Sequence, residues 1–248
     1  MLRNKIIENP QPLPREFYLR DTVTVAYELL GKRLIYRRFI NHNSVSKSKN
    51  IVSGITETTS GIIIETEAYT GWNDKACHSY KRESPHLKHR TNIMFSEGGL
   101  AYVYLIYGMY NCFNVVANVC GNPEAVLIRA IEPEEGIDIM QKRRLKLSNR
   151  NTDTDKNTDT DTDTDKIDIK HLCNGPGKLC ISMGITRNDY GKDLCGNELF
   201  ITEGININPN KICTTPRINV DYAEDDAKLP YRFVIRDNPY ISTRKFIK

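Results

Sequence analysis

Glu65, Glu67 and Tyr69 lie two residues apart at the end of the apolar run Ile62-Ile63-Ile64, and Asp74 and His78 follow closely. A β-branched run of this kind forms a buried strand on which side chains alternate, so Glu65, Glu67 and Tyr69 share one face. Carboxylates there are costly to bury unless something pairs with them. Three readings of the same residues compete at this point. The acids transfer protons at a reacting centre, they join Asp74 as metal ligands of a nuclease, or they are solvated carboxylates at a strand end. No Glu-x-Lys pattern follows the strand, which counts against the nuclease.

The 248 residues suffice for one fully cored domain or two small ones, and the 27% of charged residues is ordinary for a soluble protein. The net charge of +4 is unevenly placed: residues 151–170 carry seven Asp and three Lys, leaving a basic remainder. A basic body suits a polyanionic partner. Seven cysteines without a Cys-x-x-Cys pair or zinc-like spacing read as reduced thiols in an intracellular protein. No secretory signal is visible in Met1 to Asp21. The longest apolar stretch, 102–119, contains Asn111, Asn114, Asn118 and Gly108 and reads as paired strands rather than a membrane span.

Around the acids the chain offers the elements that must hold them. Asp21 caps a short helix through Leu30 that Gly31 stops. Strands are expected at Arg33 to Arg38, Ile51 to Thr56 and Gly61 to Glu67, with a polar hairpin tip at 41–50. From Trp72 to Asn92 periodicity gives way to a long basic loop containing His86, Lys88 and Arg90. Leu100 to Tyr110 reads as a strand with Tyr102 and Tyr104 on one side, broken by Gly108 so that Tyr107 and Met109 stand at a rim. Cys112 to Val119 and Ala125 to Ile131 continue an antiparallel sheet, the latter carrying Arg129 in an apolar run. Glu132-Pro133-Glu134-Glu135 is expected to open a helix ending near Lys146. The Thr-Asp repeat cannot bury apolar surface and is expected to be a disordered insert at about 151–168. Asn174-Gly175-Pro176-Gly177-Lys178 precedes a helix, an arrangement open to phosphate, and Tyr231 to Arg236 reads as a strand.

Taken together, these pieces resemble the alkyladenine (3-methyladenine) DNA glycosylase family. The resemblance is carried by Glu65-Thr66-Glu67-Ala68-Tyr69, Asp74 with His78, Met94-Phe95, Tyr102-Val103-Tyr104, Tyr107-Gly108-Met109-Tyr110 and Asn114. It continues through Val126 to Ala130 with Glu132-Pro133, Asn174 to Cys180, Pro216-Arg217-Ile218 and Tyr231-Arg232-Phe233, in family order across residues 20–245. The hairpin near 41–50 and the Thr-Asp insert are departures, both in places where loops are tolerated.

The resemblance implies a mixed α/β (α+β) fold: a single domain over 1–248, built around a curved antiparallel β-sheet with flanking helices, like the C-terminal domain of formyltransferases. It implies a monomeric enzyme without metal or other cofactor. Such an enzyme flips alkylated or deaminated purines (3-methyladenine, 7-methylguanine, hypoxanthine) out of double-stranded DNA and hydrolyses the N-glycosidic bond. On this footing Glu67 is the general base, with Arg129 and the backbone carbonyl of Ile218 holding it and its water. Tyr69 and Tyr104 sandwich the base, His78 supplies a third wall, and Asn114 crowds the 2-amino group of guanine. Tyr107 intercalates with Met109 in support, Lys178 and Arg90 meet the DNA backbone, and Glu65 is structural. The compartment implied is the cytoplasm of a prokaryote or the nucleus of a eukaryote. The reading that remains open beside it is a non-catalytic DNA-structure binder using the basic loop and Lys178.

Overall fold

The acids sit in the middle of the sheet. The computed structural model describes residues 9–41, 54–85, 89–150 and 166–247. Within these residues the strands are β1 (Arg33–Asn41), β2 (Gly54–Tyr69), β3 (Ala101–Ile106), β4 (Tyr110–Val116), β5 (Ala125–Glu135), β6 (Leu199–Thr202), β7 (Ile212–Thr215) and β8 (Arg232–Ile235). The α-helices are α1 (Arg15–Tyr18), α2 (Thr22–Glu28), α3 (Ile137–Arg150) and α4 (Pro176–Met183). The strands lie in the order β3-β4-β5-β2-β1-β6, with β8 joined to β2 and β7 to β8, every pairing antiparallel. This is the mixed α/β architecture expected. The hairpin tip expected at 41–50 beyond Asn41, the first residues of the 51–56 strand, His86 with Lys88, and the Thr-Asp repeat through 165 lie outside the described residues.

β2 is longer than its sequence suggests. The two runs read as separate strands form one continuous strand of 16 residues. Its first part, through Ile62, pairs with β1, and Glu65 to Glu67 pair with β8 along the same edge. β5 runs along the other edge from Ser60 to Tyr69, with register shifts near Gly61 and Glu65. Shifts of this kind mark bulges, which re-aim side chains. The segment carrying Glu65 and Glu67 is therefore hydrogen-bonded through its backbone on both sides.

The apolar residues of these strands pack against the helices. Ile63, Ile64, Val126 and Ile128 are buried with Val25, Leu29, Leu179 and Met183 in one cluster. Asp21 caps α2 by accepting the Thr24 amide at 2.8 Å, and the buried Thr66 hydroxyl donates to the Ala26 carbonyl at 2.7 Å, fastening α2 to the strand.

One expectation fails outright. Glu132-Pro133-Glu134-Glu135 ends β5 instead of starting a helix; Pro133 stands opposite Gly61, and Glu134 pairs with Arg33. A long partner strand with pairing to offer outweighs a helix-start pattern of Pro and acids. The helix begins after Gly136, which turns the chain at φ +71° where a Cβ would strike the Thr58 carbonyl. Strand β7 and helix α1 have no counterpart in the sequence reading. All seven cysteines are free, and five of them are buried. Among the described residues no helix is long and apolar enough to cross a membrane.

Candidate active site

Glu65 and Glu67 point to the same side of β2, as period two requires, and both reach Arg129 from β5. Both are completely buried and both are hydrogen-bonded, but largely to different parts of the molecule. Glu65 accepts from Arg129 Nε at 3.1 Å, Arg232 Nε at 2.8 Å, the Ser242 hydroxyl at 2.7 Å and the Ser242 amide at 2.7 Å. Arg232 is itself buried and donates further to Thr215, Thr243 and Lys245, so Glu65 pins the C-terminal segment to the sheet. Glu67 accepts from Arg129 Nη1 at 3.1 Å, the Tyr69 hydroxyl at 2.8 Å and the Ile218 amide at 2.7 Å. Ile218 thus reaches Glu67 through its N–H. Burial alone pulls the Arg129 guanidinium down, but the attraction of Glu67 and then Glu65 outweighs it and the net shift is upward.

Above this carboxylate opens a cavity of about 340 Å³, within the size range of ligand pockets. Glu67 is not in its lining. Tyr69, Arg129 and Ile218 all are, so the carboxylate lies one hydrogen bond beneath the floor. Tyr104, His78 and Asn114 line the cavity with Tyr102, Cys112 and Tyr222. His78 stands edge-on to the Tyr104 ring, centroids 4.6 Å apart, and its Nδ1 meets the Tyr102 hydroxyl at 3.0 Å. Burial, then the Arg90 and His89 charges, push the His78 pKa down to about 4, so the imidazole is neutral at pH 7. Burial raises the phenols of Tyr69, Tyr102 and Tyr104, which keeps them protonated donors. Asn114 donates to the Tyr102 carbonyl at 3.0 Å, bridging β4 and β3 beneath the pocket wall.

The rim is built by the β3–β4 hairpin. The Met109 amide bonds back to the Ile106 carbonyl, and Tyr107 and Gly108 between them both have positive φ, +52° and +69°. That is the mirror-image turn favoured in tight hairpins, costly for a tyrosine and natural for glycine. The turn leaves Tyr107 76% exposed at the cavity mouth and Met109, two residues on, 67% exposed, so the strand's regular alternation ends at Ile106. Arg90 lies over the Tyr104 ring at 5.5 Å. Lys178, exposed on the first turn of α4, bonds to Asn174 and lines an adjoining cleft with Arg144 and Tyr110. Burial and the neighbouring Arg144 lower its pKa. Gly177 lets α4 start against the hairpin, since a Cβ would sit 3.1 Å from Tyr110.

The structure brings Glu67, Arg129, Ile218, Tyr69, His78, Tyr104, Asn114, Tyr107 and Met109 to one cavity and its mouth, and leaves Lys178 and Arg90 at its edges. The nuclease reading finds no shared ligand set: Glu65 is held by Arg232 and Arg129, Glu67 by Arg129, and Asp74 by Arg217 at 2.5 and 2.8 Å. Two buried arginines, Arg217 and Arg232, went unassigned in sequence. An arginine inside an apolar run was the available signal, since it demands a buried acid.

The sequence profile of the methylpurine-DNA glycosylase family matches residues 48–239. The chain is 43% identical over 232 residues to a protein of Alkaliphilus oremlandii, covering 94% of this chain and 99% of that one. It is 45% identical over 234 residues to a protein of Clostridium acetobutylicum, covering 94% and 98%. A Bacillus thuringiensis protein is 43% identical over 235 residues, covering 93% and 98%. All three carry a 3-methyladenine DNA glycosylase designation.

Proposed function

The chain belongs to the methylpurine-DNA glycosylase family, and from that premise we propose that its aromatic cavity receives a damaged purine extruded from duplex DNA and that Glu67 drives hydrolysis of the bond to the sugar. Membership makes it a DNA glycosylase of base excision repair; the lesion, the extrusion and the residue roles are the proposal. The observation that carries it is a buried carboxylate, Glu67, whose side-chain bonding partners among the described residues all line an aromatic cavity.

A stacked base cannot be reached, so the nucleotide must leave the helix. Tyr107, exposed at the tip of a rigid turn, enters the vacated stack with Met109 beside it, in the manner of wedge side chains. Tyr69 and Tyr104 then stack on the purine, His78 meets its edge as a neutral imidazole, and Asn114 crowds an exocyclic 2-amino group. Lys178 and Arg90 bind flanking phosphates.

A carboxylate oxygen has two acceptor positions, and Oε1 of Glu67 accepts only the Ile218 amide among the described residues. The other position takes a proton from water. The water oxygen forms a bond to C1′, and the electrons of the C1′–N bond leave with the purine, giving a free base and an abasic site. A cationic alkylpurine departs neutral while Glu67 returns its proton to solvent, and hypoxanthine departs as an anion that takes up a proton from solvent. Positive charge developing on the sugar is met by the same carboxylate, as in glycoside hydrolysis. Arg129 holds that carboxylate in place and balances its charge. The reaction uses side chains and water only, and one copy of the chain holds every residue named.

The test is release of free base from duplex oligonucleotides containing hypoxanthine or a methylated purine, with EDTA present. Release without strand scission is expected. Failure to release any of these bases sinks the reading.

A further inference from the structure

Behind the Tyr69 ring lies an ion pair that the hydrolysis does not use. Arg217 has a side chain with no exposed surface, yet its Cζ sits 4.9 Å from the Tyr69 ring centroid and 5.4 Å from that of Tyr231. Tyr69 lines the cavity and Arg217 does not, so the guanidinium occupies the face of the ring turned away from it. Asp74 holds both terminal nitrogens, at 2.5 and 2.8 Å, and the carbonyls of Ala68 and Asp226 accept at 3.0 and 3.1 Å. Asp74 also accepts the Thr70 and Ala76 amides, which shapes the loop that delivers His78.

We propose that Arg217 and Asp74 form a positioning pair that sets the charge preference of the pocket through the Tyr69 ring. The inference rests on Tyr69 being a stacking wall for the extruded purine. A cation against one face of an aromatic ring draws on the same π-electron density that the other face offers to a cation. With guanidinium behind it, Tyr69 is a weaker partner for a positively charged alkylpurine and a comparatively better one for a neutral purine. Asp74 moderates this by neutralising the guanidinium from the far side. The pair therefore admits neutral deaminated bases beside cationic alkylated ones, in place of a pocket tuned to cations alone. Arg217 and Asp74 touch no reacting atom; they act through Tyr69.

The two charges make opposite predictions, which separates this role from mere support. Single-turnover release is measured for cationic 7-methylguanine and neutral hypoxanthine in duplex oligonucleotides, and the ratio of the two rates is compared across variants. Asp74→Asn, which leaves the guanidinium unopposed, lowers the ratio of 7-methylguanine to hypoxanthine severalfold. Asp74→Asn with Arg217→Met, which removes both charges, raises it about tenfold, the scale of one desolvated cation–π contact. Arg217→Lys in the parental chain, which keeps the charge, restores the parental ratio even if both rates fall. Parallel losses on both substrates with unchanged ratios overturn the inference and leave the glycosylase reading standing. If the double variant does not fold, the ratio for Asp74→Asn decides alone, and no change in it overturns the inference. Release of neither base by the unaltered chain overturns the glycosylase reading, and this inference with it.

Discussion

Glu65 and Glu67 stand two residues apart on one strand, equally buried and both bound to the same arginine. Around Glu65 the donors come from the interior and the C-terminal segment, and among the described residues three meet Oε1 and one meets Oε2. Around Glu67 they come from the cavity floor, two meeting Oε2 and one meeting Oε1. Burial therefore does not mark a reactive acid, and neither does an adjacent cation. What separates the two regions is the surface to which the partners belong. On the proposed mechanism the carboxylate whose partners face the core holds the fold, and the one whose partners face the cavity acts on what enters it.

The contrast can be broken most directly at Glu67. Glu67→Gln removes the proton acceptor while keeping the shape, and base release should fall by at least 10³-fold, within the span of general-base contributions. Single-turnover excision of hypoxanthine reads it; a loss under tenfold would make the two acids equivalent. Glu65→Gln should show the reverse profile. It leaves buried Arg232 without its counterion, a defect worth about 3–5 kcal/mol of stability in comparable buried pairs. Urea midpoints measure this, and an unchanged midpoint would contradict a structural role.

Acid should sharpen the distinction further, through His78. Its pKa is about 4 in the folded chain against an ordinary 6.5. As pH falls the unfolded chain takes up the proton first, so the contribution is intact above pH 6.5 and drains away as pH drops to about 4. The loss amounts to up to about 3 kcal/mol. Comparing stability at pH 7 and 4.5 with that of His78→Gln isolates it, since the variant should lose less. The smallest effect on stability belongs to the rim. Tyr107→Gly should leave the unfolding free energy from urea titration within about 0.5 kcal/mol or raise it slightly, because glycine tolerates the positive φ. Excision from duplex should nonetheless drop. A stability loss above 1 kcal/mol would make Tyr107 part of the fold rather than of the mouth.

These contrasts were only partly legible in the chain. The strand at Ile62 to Ile64, the shared face of Glu65, Glu67 and Tyr69, the Asp21 cap and the exposed turn at Tyr107-Gly108 all follow from neighbours within a few residues. The ranking of the two acids does not. Arg129, Ile218 and Arg232 reach them from 62 to 167 positions away, and no local period carries that information. Family likeness supplied the ranking as an expectation. The same distance hides the Arg217–Asp74 pair, separated by 143 positions. The misread helix start at Glu132 shows the converse error, in which local chemistry was clear and a partner strand overrode it.

Because β2 is bonded along both edges at Glu65 to Glu67, the peptide hydrogens there should exchange only when the whole sheet opens. On the proposed mechanism the carboxylate stays within the sheet, and the time spent per nucleotide during a search is then set by how readily the nucleic acid gives up a base.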